Sequence, residues 1–284
     1  FTGMMLVQLF YWGTNQQIIQ RALAAKNLAE GQKGLMLAAF IKVLGPLLVV
    51  LPGLIAYHLF EGGLEKADTA YPMLVAEVLP EALVGFFAAV LFGAILSSFN
   101  SVLNSSVTLF GVDIYKQHIN PEASELQMVK NGKRFGLILA VAAMFIAPLI
   151  ANAGTLFDYL QEVNGIYSIP ILTIIFVGYT TKRVPAIAAK VGVISGSLLY
   201  IISQFILQPM VTENGGTYPH YLDVMAILFL LNTAIMLLIG QFKPMETPYE
   251  LNYTKQVDIL PFKYVKEVGI AICVLVIGVY LYFA

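Results

Sequence analysis

Charge is scarce in this chain. Of its 284 residues only 12% are charged and 58% are hydrophobic, with a mean hydropathy of +0.79. Soluble domains carry about twice that share of charge. The formal net charge of −1 and the lack of any basic tract exclude a nucleic-acid-binding surface. Cysteine is nearly missing: Cys273, the single one, sits in an apolar run, which excludes a disulfide framework and a thiolate metal site. His58, His118 and His220 are scattered, without HExxH or any other metal-ligand spacing. GxSxG, P-loop and GxGxxG patterns are absent too, so no catalytic cluster supports an enzyme.

What the chain has instead is long apolar runs. Eight can be marked, at roughly 1–14, 34–60, 80–112, 134–152, 155–179, 184–208, 221–242 and 262–284. The first and last residues both fall inside such runs, so the sequence reads as part of a longer chain lacking upstream spans. Short connections predict an all-α, polytopic membrane helical bundle. Sorting the 16 Lys and Arg gives its orientation. Arg21, Lys26 and Lys33 lie in the first connection, and Lys116, Lys130, Lys133 and Arg134 in the third. Lys182, Arg183 and Lys190 belong to the fifth, and Lys243, Lys255, Lys263 and Lys266 to the seventh. The even connections hold only Lys66, among Glu61, Glu65, Asp68 and Glu77. The odd connections are therefore expected to be cytoplasmic.

Lys42 belongs to neither side. It lies about eight residues into the second run, roughly 12 Å from its start, where a charge is costly in a bilayer. It either snorkels along its own stem or points into a polar cavity as a hydrogen-bond donor. A polar seam in the third run raises a similar choice. Ser97, Ser101, Asn104, Ser105 and Thr108 share one narrow helical sector, flanked by Phe92, Ile95, Leu103 and Leu109. Such hydroxyls bond the carbonyl four residues back or join helices. Ala94, Ser97 and Ser98, at i, i+3 and i+4, could instead offer a carbonyl freed by a bend and two hydroxyls to an alkali cation. Asn104-Ser105-Ser106 has the form of a glycosylation sequon but lies within the membrane.

The fifth run begins ANAGTLFDYLQEVNGIYSIP, in which Gly154, Gly165 and Pro170 predict a kinked helix. Gln161 suits hydroxyl-rich ligands, and Phe157, one turn earlier on its face, suits a gate or a stacking platform. A solvated polar turn beside an interfacial aromatic explains the same residues. Phe10, Tyr11 and Trp12 in the first run read equally as an interfacial aromatic belt or as closure of a cavity.

YWGTNQQIIQRALAAKN, FIKVLGPLLVVLPG and AILSSFNSVLNSSVTLFGVDIYK, in this order, closely resemble the sodium/solute symporter family, and within it the bacterial sodium/galactose (sodium/glucose) cotransporters. The likeness runs to about residue 183 and weakens after it. It implies the leucine-transporter-type inverted-repeat fold, with residues 1–183 as the sixth to tenth helices of the core and 184–284 as three peripheral helices. Carried over by position, it implies a sodium ion held by Ala94, Ser97 and Ser98, with the other half of the site on the absent first helix. Lys42, Gln161, Tyr11 and Gln8 would contact the sugar, and Tyr11, Phe157 and Trp12 would form gates. Gln8 stands where the bacterial galactose branch carries Asn, an amide one methylene shorter. The resemblance further implies galactose or glucose as substrate, a multi-pass site in a bacterial inner membrane and no enzymatic activity. Proline, pantothenate or inositol as substrate, or a symporter-like sensor domain, are the alternatives.

Overall fold

A bilayer core offers the backbone no hydrogen-bond partners, so apolar runs of spanning length must fold as helices. The computed structural model, which describes residues 2–64, 66–150, 155–250 and 257–283, is accordingly helical, and no strand occurs among the described residues. The helices are α1 (Thr2–Gly13), α2 (Gln16–Leu23), α3 (Leu28–Val43), α4 (Gly45–Leu59), α5 (Ala70–Val78) and α6 (Glu81–Leu109). They continue with α7 (Glu125–Ile150), α8 (Leu156–Thr180), α9 (Ala186–Ile202), α10 (Gln208–Glu213), α11 (Tyr221–Phe242) and α12 (Val265–Phe283). Seven stretches among the described residues are long and apolar enough to span a membrane: Leu28–Leu59, Glu81–Ile119, Glu125–Ile150, Leu156–Thr180, Ala186–Glu213, Tyr221–Phe242 and Val265–Tyr282. They match the second to eighth apolar runs, and α1 corresponds to the first.

Several helices overrun the apolar runs that announce them. A helix satisfies its own backbone and so continues past the hydrocarbon until a cap or a breaker stops it. Asn27 caps α3, its side chain accepting from the Glu30 N–H at 2.9 Å, which starts the helix before Gly34. A π-helical stretch, Phe110–Ile119, extends α6, and α7 begins at Glu125, taking Lys130, Lys133 and Arg134 into its first turns.

Clustering of contacts divides the chain into two compact units. The first comprises Phe1–Ile19 and Phe157–Thr254. Its core gathers Val7 of α1, Ile169 of α8, Tyr200 of α9, and Val224, Met225 and Leu228 of α11. Small residues admit the close approaches. A Cβ on Gly3 would collide with the Leu222 carbonyl, and one on Gly165 with the Tyr200 ring. Gly165 thus serves packing, and α8 runs as one helix through it and through Pro170. Gly154, the third residue behind the expected kink, lies outside the described residues. Some polar groups in this unit bond protein partners: Asn232 Nδ2 donates to the Gly192 carbonyl at 2.9 Å, Ser195 Oγ to Asn232 Oδ1 at 3.1 Å, and Ser197 Oγ to the Ile166 carbonyl at 2.8 Å, whereas the buried Ser168 and Tyr200 hydroxyls bond none of the described residues.

The second unit comprises Gln20–Leu156 and Lys255–Ala284. Here α6 and α7 meet where Gly132 and Gly136 admit Val107 and Leu103, and Phe110 stacks on Phe135 with centroids 4.1 Å apart. The N-terminal turns of α3 are tied to the segment before α12: Leu28 N–H bonds the Asp258 carbonyl at 3.1 Å, and Phe262 N–H bonds Gln32 Oε1 at 2.7 Å. A guanidinium joins α2 to α6, with Arg21 Nη2 donating to Ser101 Oγ. Between α3 and α4 the helix is interrupted at Leu44 (φ −79°, ψ −8°). Pro46 explains this: it has no N–H for the Lys42 carbonyl, and its ring crowds that carbonyl.

Replacing Gly165 with Val should destabilise the protein by about 1–3 kcal/mol through overpacking, read as a lower melting temperature in detergent. Gly178→Val, where a Cβ meets nothing within 4 Å, should be tolerated far better. Ser101→Ala should cost about 1 kcal/mol, and a double-mutant cycle with Arg21→Gln should return a coupling of similar size. Additive effects would show that the contact contributes nothing.

Candidate functional site

The expected cation ligands lie together on α6. Ala94, Ser97 and Ser98 are three exposed residues on one face of an unbroken helix. No bend frees a carbonyl there, contrary to the expectation from sequence. The Ala94 carbonyl would have to use its second lone pair, since an accepted helical bond leaves one open. Three of the four hydroxyls further along are committed, the buried Ser105 being the exception. Ser101 Oγ donates to the Ser97 carbonyl at 2.9 Å, Ser106 Oγ to Val102 at 3.0 Å and Thr108 Oγ1 to Asn104 at 2.8 Å. Back-bonding of this kind is a common fate of hydroxyls in membrane helices. The Ser97 and Ser98 hydroxyls, by contrast, bond no protein group among the described residues. These two oxygens are available to an ion.

Beside them is a cleft of about 730 Å³ between α2 and α6, lined by Gln20, Arg21, Ser97, Asn100, Ser101 and Asn104 among others. Amides, hydroxyls and one guanidinium make it a water-compatible channel wall in the second unit. Ser97 reaches it; Ala94 and Ser98 are not part of its lining. From sequence Arg21 is legible only as a topological charge, because nothing local links it to a serine 80 positions away. Only the fold reveals its partner. Among the described residues no three of His, Cys, Asp and Glu come together to hold a metal. The available ligand chemistry is neutral oxygen, which suits hard cations rather than zinc or iron.

Lys42 also belongs to the second unit. It sits roughly 12 Å beyond the start of the apolar run at Gly34 and, counted from Leu28, about 21 Å along α3 at 1.5 Å per residue. The difference follows from the Asn27 cap, which starts α3 earlier than the apolar run does. Lys42 immediately precedes the interruption at Leu44, and its Cδ lies 4.0 Å from where a Gly45 Cβ would be. A long cationic side chain therefore meets a helix break whose carbonyl at residue 42 has lost its usual proline-position donor. The Gly45-Pro46 pair was the available sequence signal for this break.

The remaining candidates belong to the first unit. On α1, Trp12 Nε1 donates to Gln8 Oε1 at 3.0 Å and Gln8 Nε2 reaches Met4 Sδ at 3.8 Å, so Gln8 shares its carbonyl with an aromatic neighbour. Tyr11 is half-buried and packs edge-on against Trp12 with centroids 5.2 Å apart. Phe10 holds α1 against α8 through an edge contact with Tyr167 at 5.8 Å. On α8, Phe157 is exposed and Gln161 half-buried, one turn apart on the same face. The Gln161 amide has no hydrogen-bond partner among the described residues. Within this unit the structure thus brings Tyr11, Trp12 and Gln8 together on α1, and Phe157 with Gln161 on α8.

Comparison with known proteins gives this geometry a lineage. The sequence matches the sodium:solute symporter family over residues 1–196. It is 47% identical over 281 residues to the uncharacterized symporter YidK of Escherichia coli K12, covering 99% of this chain and 48% of that protein. It is 35% identical over 250 residues to the sodium/glucose cotransporter of Vibrio parahaemolyticus, covering 82% of this chain and 46% of that one. Human sodium/myo-inositol cotransporter 2 is 35% identical over 218 residues, 70% of this chain and 32% of its own. The chain thus spans about half the length, or less, of these relatives. The chain belongs to the sodium:solute symporter family.

Proposed function

We propose that this chain is part of a secondary transporter, not an enzyme, that couples sodium entry to uptake of a small polyhydroxylated solute, galactose or glucose, by alternating access. What supports the sodium assignment is the pair of uncommitted hydroxyls on Ser97 and Ser98, one turn beyond Ala94, in a helix where Ser101, Ser106 and Thr108 are back-bonded. A desolvated alkali cation needs several oxygens and no extra negative charge, and the face of α6 supplies half of such a set. The other half belongs to the upstream portion of the whole protein. On this reading residues 1–183 are the sixth to tenth helices of an inverted-repeat core, and residues 184–284 are three peripheral helices. The connections rich in Lys and Arg face the cytoplasm of a bacterium, across its inner membrane.

Sugar recognition falls to groups that donate and accept hydrogen bonds to hydroxyls. Gln161 offers both, and Lys42 brings an ammonium donor beside a helix break. Gln8 contributes less, because its carbonyl oxygen already accepts from Trp12. Tyr11 and Trp12 on α1, and Phe157 on α8, supply apolar faces that can close over a sugar ring. Sodium drives the cycle only if it binds one state more tightly than the other; release then follows when the α6 ligands separate from their upstream partners.

A second reading within the same chemistry is an inositol as solute, favoured by the sodium/myo-inositol cotransporter among the relatives. A cyclic polyol presents the same ring of hydroxyls as a pyranose.

In proteoliposomes holding the full-length protein, Ser98→Ala should raise the half-saturating sodium concentration for solute uptake about tenfold or more, the equivalent of about 1.4 kcal/mol. Uptake with an unchanged sodium dependence would sink the cation assignment. Gln161→Ala should raise the solute KM by about tenfold with the sodium dependence retained. Competition against labelled galactose by glucose, myo-inositol, proline and pantothenate then separates the substrate readings: only the hydroxylated rings should compete.

A further inference from the structure

Three spans end together at one place in the first unit. α8 ends at Thr180, α9 begins at Ala186 and α11 ends at Phe242. Between these ends lies a cleft of about 430 Å³, lined by Lys182, Arg183 and Gln241 on its polar side and by Val184, Leu237 and Gly240 on its apolar side. Its floor is tightly built: a Cβ on Gly240 would come within 2.7 Å of Val184 Cγ2. Its rim is fixed by backbone, with Met245 N–H bonding the Arg183 carbonyl at 2.9 Å and Tyr249 N–H bonding the Lys182 carbonyl at 2.8 Å. The two cationic residues are thus held in place at the main chain while their side chains stay exposed.

Neither cation makes an ion pair or a side-chain hydrogen bond with any described residue. Glu246 and Glu250, on the connection after α11 that supplies the rim, leave both unpaired, while Lys190 and Lys243 flank the cleft in sequence and add charge of the same sign. An unneutralised pair of adjacent cations at the ends of membrane spans, above an apolar wall, matches an amphiphile with an anionic head. Basic pockets between helix ends are where such headgroups bind. A free inorganic anion would use the cations and leave the Val184–Leu237 wall without a role.

We propose that this cleft binds an anionic phospholipid, its phosphate between Lys182, Arg183 and the Gln241 amide and its acyl chains against Leu237 and Val184. The Arg183 guanidinium offers a planar fork for two phosphate oxygens, and Lys182 a point charge beside it. The site shares no residue with the α6 seam or with Gln161, so it stands whether or not the solute and ion assignments hold.

The test uses the full-length protein in a neutral detergent, titrated with dioctanoyl phosphatidylglycerol, with dioctanoyl phosphatidylcholine and with inorganic phosphate, binding being read by thermophoresis and by native mass spectrometry. Phosphatidylglycerol should bind saturably, and Lys182→Gln/Arg183→Gln should weaken it about tenfold or more, on the order of fivefold per cation removed. The charge-keeping Lys182→Arg should retain binding. Arg183→Gln alone, at an unchanged melting temperature, carries the test if the double variant does not fold, with about a fivefold loss expected. Equal binding of phosphatidylcholine, or phosphatidylglycerol binding unchanged in the variants, would overturn the proposal. Displacement of phosphatidylglycerol by millimolar phosphate would overturn the lipid assignment in favour of a free-anion site.

Discussion

Hydrocarbon will not accept or donate a hydrogen bond, and most of this structure follows from that refusal. Each hydroxyl or amide carried into the membrane must find a partner on its own helix, on a neighbour, in water or on a ligand. Ser106 and Thr108 take the first course, and Asn232 and Ser197 the second. Ser101 takes two at once, donating to its own helix and accepting from Arg21. With those settled, the groups left over become informative. Ser97, Ser98 and Gln161 are polar, placed in spanning helices and committed to nothing within the described residues. In a membrane an unspent oxygen is a statement about water or cargo.

Van der Waals contact does the work between helices that the hydrophobic effect does in water, because lipid tails are as apolar as leucine. Glycine and alanine accordingly sit at the crossings. Gly132 and Gly136 let α7 settle on Val107 of α6, and Gly192 and Gly196 let α9 reach Met236, Asn232 and Pro170. Outward faces need no complement of their own: Phe86, Phe145 and Leu149 are 69%, 76% and 76% exposed, as lipid-facing side chains are.

The class of fold was legible from length and hydropathy alone, since seven apolar runs of spanning length leave a chain few other options. Family membership was legible from three motifs. What stayed hidden were relations between distant residues and the behaviour of helix ends. Nothing near Arg21 announces Ser101, and an apolar run marks where lipid begins rather than where a helix begins, so α3 starts six residues before the run that announces it. Gly165 was read for its effect on the helix axis; what the sequence could not show is that it makes room for Tyr200, a partner 35 residues on. Hydroxyl spacing on α6 did single out Ala94, Ser97 and Ser98, because periodicity along one helix is the kind of geometry a sequence carries.

The break at Leu44 divides one membrane crossing into two rigid rods, of 16 and 15 residues. At 1.5 Å per residue these measure about 24 and 22 Å, so neither alone crosses a hydrocarbon layer of about 30 Å, while end to end they exceed it by half. The joint therefore lies inside the bilayer, and the length left after the turns of α3 that precede the apolar run is taken up as tilt or bend. Membrane thickness thereby becomes a load on the joint: a thinner bilayer closes the angle, a thicker one straightens it. The residue that rides next to this joint is Lys42.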